Sequence, residues 1–244
     1  MWKKTADNLL MLLLCLCSMF LFQSGKVNAA MTEEAENYEV GEIYEGRIID
    51  QGDKRYFRFT VSEKSHVTLY LTCRKGICKG RIFDELGKEA MRGEDLIFDR
   101  NIFAGRSSAQ LSRTFPSGTY YLELGNEGKW KWQECRFSFR IQAEKEIKLS
   151  KGILRSLDSF EAGQLTVKCE PEENAIGYRI QYSMDEQLQK DVKTMDSSET
   201  VNTIKNLKKG QRYYVKVCPY TVYDDGTYVY GESSYVKSAV IDRK

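Results

Sequence analysis

Histidine is almost absent from this chain and proline is scarce, since its 244 residues include one histidine, His66, and three prolines. A nucleophilic triad needs a base beside a nucleophile and an orienting partner, and no glycine-flanked serine accompanies His66. Zinc sites need several His or Cys ligands at set spacings, and no second cysteine pair follows Cys73 and Cys78. A glycine-rich phosphate loop is also missing. The sequence therefore predicts no catalytic residue, no metal and no cofactor, and it predicts a surface position for His66.

An excess of charge of one sign is absent as well. The chain has 37 basic and 35 acidic residues, and three of the lysines and one aspartate fall within the first 30 residues. The remainder is formally neutral, with 34 residues of each sign. Nucleic-acid binding usually depends on a surplus of cations that displaces the counterions of the phosphate backbone. The charge balance therefore predicts no nucleic-acid partner.

Long apolar runs are limited to one segment near the N-terminus. Lys3 and Lys4 precede the 14-residue apolar run from Leu9 to Phe22, and a polar stretch ending in Val27, Asn28 and Ala29 follows it. This three-part order is typical of a secretory signal peptide, and the run is shorter than the roughly 20 residues of a membrane-spanning helix. We expect a signal peptide over residues 1–29 that is cut after Ala29, no stable membrane span afterwards, and a secreted or cell-surface protein.

In the rest of the chain, apolar and polar residues mainly alternate with a period of two. Segments such as "RYFRFTV", "HVTLYLT" and "CRFSFRIQ" alternate apolar and polar residues, and glycine-containing turns separate them. Such short alternating strands predict antiparallel sandwiches or barrels. The charged stretch 143–152 interrupts the pattern, which places a domain boundary near residue 146. The predicted fold is all-β, with two antiparallel β-sandwiches in tandem over 30–145 and 146–244. The best helix candidate is the segment 87–100, but Gly93 interrupts it, so the sequence does not favour a helix there.

Residues 148–244 resemble a fibronectin type III domain of the kind found in secreted bacterial proteins. Three motifs carry the resemblance: "LTVKCE", "NAIGYRIQYS" and "NLKKGQRYYVKV". In the last motif Leu207, Gly210 and Tyr213 match the leucine, turn glycine and corner tyrosine of the family. The resemblance implies that the Tyr213 hydroxyl is bonded to nearby backbone and stabilises the crossing between the two sheets. Cys169 and Ser233 stand where family members have tryptophan.

Residues 38–143 resemble the bacterial pre-peptidase C-terminal-like domain, a jelly-roll-like sandwich. The matching segments are "GEIYEGRIIDQGDKRYFRFTV", the strand-turn-strand "FDELGKEA", "FPSGTYYLELGN" and the closing strand "CRFSFRI". Members of this family are accessory modules of exported enzymes rather than catalysts, and some bind calcium. Asp50 and Asp53 are the nearby acidic residues, and a solvated turn explains them equally well.

Five cysteines remain after removal of the signal peptide, so at least one thiol has no intramolecular disulfide partner. Cys73 and Cys78 flank "RKGI", a plausible hairpin loop, and are the predicted disulfide pair. Cys169 is expected to face inward, and Cys218 is expected to face outward because it is out of step with its inward neighbours. A bond between those two is not expected.

Two aromatic clusters could carry recognition. Trp130 and Trp132 lie two residues apart in "GKWKWQE", on one side of an extended segment, and exposed rings beside polar groups are typical of ligand-binding surfaces. The alternative is that both tryptophans cover the sandwich core. Tyr223, Tyr228 and Tyr230 form the second cluster, which ordinary cross-strand stabilisation also explains.

The expectation from the sequence is therefore an exported, non-catalytic binding or adhesion protein that recognises an extracellular glycan or protein. One alternative is an accessory or spacer protein for a separate exported hydrolase, without a ligand of its own. A second alternative is a small hydrolase that uses a carboxylate pair, because such a pair need not be local in sequence.

Overall fold

The computed structural model describes residues 31–75, 78–91, 99–101, 106–126 and 134–243. The chain divides between Glu146 and Ile147 into two compact units, next to the boundary predicted near residue 146. Within the described ranges no helix has the length and apolar character needed to cross a membrane. The predicted signal peptide and the pair Trp130 and Trp132 lie outside the described residues.

The first unit is a sandwich of two five-stranded sheets. One sheet has the strand order β1-β3-β9-β5-β6, and the other has the order β2-β10-β4-β8-β7. Without the edge strands β1 and β7, the remaining eight strands follow the order of a jelly roll, in which every connection except the β5–β6 hairpin crosses between the two sheets. The strands are β1 (Glu36–Asn37), β2 (Tyr44–Ile48), β3 (Lys54–Val61), β4 (Ser65–Lys75), β5 (Cys78–Asp84), β6 (Glu89–Met91), β7 (Asp99–Asn101), β8 (Arg106–Phe115), β9 (Gly118–Asn126) and β10 (Cys135–Lys145).

The inward faces of these two sheets enclose one aromatic and aliphatic core. Phe57 of β3 and Phe139 of β10 lie in opposite sheets, and their ring centroids are 4.8 Å apart. Leu122 of β9 and Ile141 of β10 are fully buried. The alternation predicted from the sequence therefore places one side of each strand in the space between the sheets.

The second unit is a smaller sandwich of three strands against five. One sheet has the order β11-β12-β15; the other has the order β14-β13-β16-β17, and β18 pairs with the same strand β16. This arrangement and its corner tyrosine give the unit a fibronectin type III-like fold. The strands are β11 (Leu154–Asp158), β12 (Leu165–Cys169), β13 (Gly177–Ser183), β14 (Lys193–Ser197), β15 (Val201–Ile204), β16 (Arg212–Val222), β17 (Tyr228–Tyr230) and β18 (Lys237–Val240).

The helix candidate over residues 87–100 is extended where the structure describes it. Residues 89–91 form β6 and residues 99–101 form β7, while 92–98 lie outside the described residues. Gly87 has a φ of 75°, and Asp84 Oδ1 accepts hydrogen bonds from the Leu86 and Lys88 amides. This turn folds the chain back as a hairpin, as the "FDELGKEA" resemblance implied, so the extended conformation replaces a helix.

The surface position predicted for His66 is wrong, because this side chain is only 5% exposed. His66 is the second residue of β4, the central strand of its sheet, and it faces away from the main core. Thr114 of β8 and Glu144 of β10 stand opposite it on the two flanking strands. Neighbours on both sides therefore cover a residue that the local sequence placed beside a turn.

Candidate binding surface

The outward face of the five-stranded sheet in the second unit carries a cluster of aromatic rings. Strand β16 alternates strictly, so Val215 and Val217 are fully buried while Tyr220 lies on the opposite face and is partly exposed. Tyr228 and Tyr230 of the adjoining strand β17 are two residues apart and lie on that same face. Tyr220 pairs directly with Tyr230 in the register of the two strands.

The three rings contact one another. The ring centroid of Tyr220 is 5.7 Å from that of Tyr228 and 6.0 Å from that of Tyr230. The rings of Tyr228 and Tyr230 are nearly parallel, with centroids 5.9 Å apart. Tyr228 is 55% exposed and Tyr230 is 41% exposed, so the cluster remains open to solvent.

A charged pair lies against these rings. Arg179 of β13 donates from Nε and Nη2 to the two carboxylate oxygens of Asp196 on β14, at 2.8 and 2.7 Å. The Arg179 guanidinium carbon also lies 4.7 Å from the centroid of the Tyr230 ring, within the range of a cation–π contact. The hydrogen bond to Asp196 raises the pKa of Arg179, and the same bond lowers the pKa of Asp196. Both side chains are therefore charged and held in place at neutral pH. We call the set Tyr220, Tyr228, Tyr230, Arg179 and Asp196 the tyrosine surface.

A glycine makes room for the central ring of the tyrosine surface. Tyr220 lies opposite Gly177 across β16 and β13. A Cβ atom at Gly177 would lie 2.6 Å from the Tyr220 hydroxyl oxygen and 2.9 Å from the Ser197 carbonyl oxygen. Burial, followed by the nearby Asp196 carboxylate, raises the pKa of Tyr220, so the phenol stays neutral. Tyr220 is thus packed into the sheet, while its two neighbours project further into solvent.

The structure places the predicted corner tyrosine in the core. Tyr213 is 8% exposed, and its hydroxyl oxygen accepts a hydrogen bond from the Lys208 amide at 3.2 Å. Gly210 at the same corner has a φ of 72°, which a residue with a Cβ adopts only with strain. Tyr213 therefore has a structural position and does not belong to the tyrosine surface.

The structure separates the three tyrosines of the second aromatic cluster predicted from the sequence. Tyr228 and Tyr230 belong to the tyrosine surface, but Tyr223 is 5% exposed and its hydroxyl accepts a hydrogen bond from the Ile147 amide at 2.9 Å. Tyr220, which sequence reasoning missed, takes its place. The signal was present in the alternation of β16, since Tyr220 is in step with the outward Lys216 and Cys218.

The predicted cysteine pair lies in a cluster with a third cysteine. Cys73 and Cys78 are buried, and the Sγ atoms of Cys73 and Cys135 are 3.3 Å apart. The five described cysteines carry thiols in the structure. In the second unit Cys169 is 7% exposed, whereas Cys218 is partly exposed on the opposite face from Val217. The Cys73–Cys78 disulfide remains a prediction from the sequence.

The acidic pair near the first turn lies in a depression lined by residues of both charges. The Asp53 amide donates to the Asp50 carbonyl at 3.3 Å, which closes a tight turn. Arg47, Lys54 and Arg55 line the same shallow depression as the two aspartates. Among the described residues no group of three or more acidic, histidine or cysteine side chains is arranged to hold a metal ion.

Comparison with known proteins gives limited similarity. No protein-family model and no curated protein matches the chain. A fibronectin type III domain derived from the human KIAA0970 protein is 17% identical, covering 39% of this chain and 77% of that chain, with a TM-score of 0.33. The FN1–FN3 domains of chicken CNTN1 are 13% identical, covering 85% and 66% respectively, with a TM-score of 0.41. A beta-1,2-glucanase from Parabacteroides distasonis is 15% identical, covering 86% and 32%, with a TM-score of 0.32. These TM-scores carry no argument about function, and the fold class rests on the strand order described above.

Proposed function

We propose that this chain is an exported, non-catalytic binding or adhesion protein that recognises an extracellular glycan or protein. The tyrosine surface is the observation that carries the proposal. Tyrosine and arginine are enriched among the residues that contribute most to binding, because they bury a large area with few rotatable bonds and keep a polar group for hydrogen bonding. Here both residue types lie together on one exposed sheet face.

The order of this surface supports binding further. Tyr220 is packed against Gly177, and Arg179 is held by two hydrogen bonds to Asp196. Side chains that are already positioned lose little conformational entropy when a partner docks. An open sheet face suits a broad partner such as a folded protein, while the exposed tyrosine rings can also contact the apolar faces of sugars.

We propose that the first unit is an accessory module of the pre-peptidase C-terminal kind. The jelly-roll strand order and the segments quoted above support this. The apolar run of residues 9–22 supports export. The alternative function is a spacer for a separate exported hydrolase, which predicts that neither unit binds a ligand of its own.

The test is an array of glycans and extracellular matrix proteins probed with residues 30–244, the form expected after cleavage. A bound probe is then titrated against the double variant Tyr228→Ala/Tyr230→Ala. We expect its dissociation constant to rise at least about tenfold, because truncation of central aromatic residues typically has effects of this size or larger.

The matched control is Phe160→Ala, since Phe160 is a 78% exposed aromatic residue outside the tyrosine surface. We expect this variant to bind like the unaltered protein. The double variant Trp130→Ala/Trp132→Ala tests the tryptophan pair predicted from the sequence in the same assay. An array without any bound probe would contradict the proposed function and favour the spacer alternative.

A further inference from the structure

Three of the five described cysteines lie together inside the first unit. Cys73, Cys78 and Cys135 are each at most 1% exposed. The Sγ atoms of Cys73 and Cys135 are 3.3 Å apart and share a hydrogen bond, and Cys135 also has a hydrogen bond with Cys78. This thiol cluster belongs to the first unit, whereas the tyrosine surface belongs to the second.

Cys73 and Cys135 lie on adjacent strands of one sheet, and their sulfur atoms are in contact. They belong to β4 and β10, which are adjacent in one sheet, and Phe137 stands directly opposite Cys73. The pairing register shifts between Arg136 and Phe137, so Cys135 lies diagonally beside Cys73 just past this irregularity.

Cys78 differs from the other two in its location. It begins β5, which belongs to the facing sheet. Cys78 therefore meets the other two thiols across the core, and its contact with Cys135 is the hydrogen bond named above. A bond between Cys73 and Cys135 needs only a sulfur approach of about 1.2 Å, from 3.3 Å to the roughly 2.05 Å of a disulfide.

We infer that Cys73 and Cys135 form a disulfide that joins β4 to β10, and that Cys78 is left as the reduced third thiol. The oxidant is a reactive disulfide, such as oxidised glutathione or a thiol oxidoreductase. The thiolate of one cysteine attacks the oxidant and forms a mixed disulfide with release of one thiol. The second cysteine then attacks the protein sulfur of that mixed disulfide and releases the second thiol. Two protein thiols lose two electrons and two protons, and the oxidant disulfide gains both.

The environment of the cluster indicates when this reaction occurs. The hydrogen bond with Cys73 lowers the pKa of the Cys135 thiol, but the hydrogen bond with Cys78 and burial outweigh it and raise that pKa to about 12. The thiolate, which is the attacking species, is therefore rare in the folded unit. The bond forms while the strands assemble, and the closed core then protects it from soluble reductants.

The first experiment refolds residues 30–244 in a mixture of reduced and oxidised glutathione, blocks the remaining thiols in denaturant, and maps the bonded peptides by mass spectrometry. We expect a Cys73–Cys135 peptide pair, with Cys78 blocked as a thiol. Recovery of all five cysteines as thiols, or a Cys73–Cys78 or Cys78–Cys135 peptide pair, would overturn the inference.

The second experiment compares the melting temperature of the oxidised and fully reduced protein. Because the bond closes a loop of about 60 residues, we expect oxidation to raise the melting temperature by about 10 °C. Cys78→Ser is the matched control for Cys135→Ser, since both side chains are fully buried. The rise should persist in Cys78→Ser and disappear in Cys135→Ser, and the reverse result would count against the assignment. If either variant fails to fold, the peptide map of the unaltered protein decides.

Discussion

At the scale of single residues, the corner tyrosine has the most specific role. Tyr213 contributes a buried ring and one hydrogen bond from the Lys208 amide. The ring packs with the second core, while the hydroxyl closes the turn that leads into β16. One side chain therefore connects the loop conformation with the direction in which strand β16 enters the sheet.

Replacing Tyr213 with phenylalanine should reduce the free energy of unfolding by about 1–3 kcal/mol. The ring is kept, but the Lys208 amide loses its acceptor in a partly buried site. Urea denaturation of the unaltered and variant proteins measures the difference. Tyr214→Phe, on the outward side of the same strand, is the control and should change stability little. Equal stability of the two variants would contradict the role assigned to the Tyr213 hydroxyl.

At the scale of elements, the two faces of the five-stranded sheet in the second unit have different roles. Its inward side, with Ile180, Val215 and Val217, packs in the core. Its outward side holds the tyrosine surface, whose members come from four different strands. Cross-strand pairing thus collects residues that are up to about 50 positions apart into one contiguous surface.

Gly177→Ala should disturb the tyrosine surface without changing any of its members. The added methyl group would collide with the Tyr220 ring and with the Ser197 carbonyl oxygen, and overpacking of this kind typically costs about 1–3 kcal/mol. We expect a lower melting temperature and weaker binding of any partner found by the array.

The control for this variant is Gly125→Ala, where the nearest neighbour of an added Cβ is Lys54 Cγ at 3.9 Å. This distance is an ordinary contact, so binding should be unchanged. If Gly177→Ala keeps full binding and stability, then the packing of Tyr220 against Gly177 does not organise the surface.

At the scale of the whole molecule, the chain consists of two sandwiches, each with its own hydrophobic core. The core of the first unit is the larger and is rich in phenylalanine, whereas the core of the second depends on aliphatic side chains and tyrosines. Because each core is complete within one unit, each unit has the means to fold on its own.

A fragment of residues 147–244 should therefore unfold in a single cooperative transition. Calorimetry and circular dichroism on the fragment should give coincident transitions close to that of the second unit in residues 30–244. Tyr213→Phe should lower the transition by the same amount in both contexts. An unstructured fragment would show that the second core needs the first unit.

The sequence determined a large part of this fold through local patterns. Alternation of period two identified the strands and the side that each turns to the core, as in Phe57 and Phe59 or Val215 and Val217. The turn residues before Tyr213 marked the sheet crossing. These features depend on neighbours within a few positions, because side-chain direction along a strand and turn conformation are local properties.

Only the tertiary structure decided which strands lie next to one another. His66 is buried because β8 and β10 flank its strand, and Cys135 reaches Cys73 although 62 positions separate them. Tyr220 meets Tyr228 and Tyr230 through the pairing of β16 with β17, whereas Tyr223 is buried and bonded to the Ile147 amide. Alternation with a period of two shows on which face of its sheet a residue lies. Which residue stands beside it on the next strand depends on long-range strand pairing. The candidate binding surface and the thiol cluster both arise at that level.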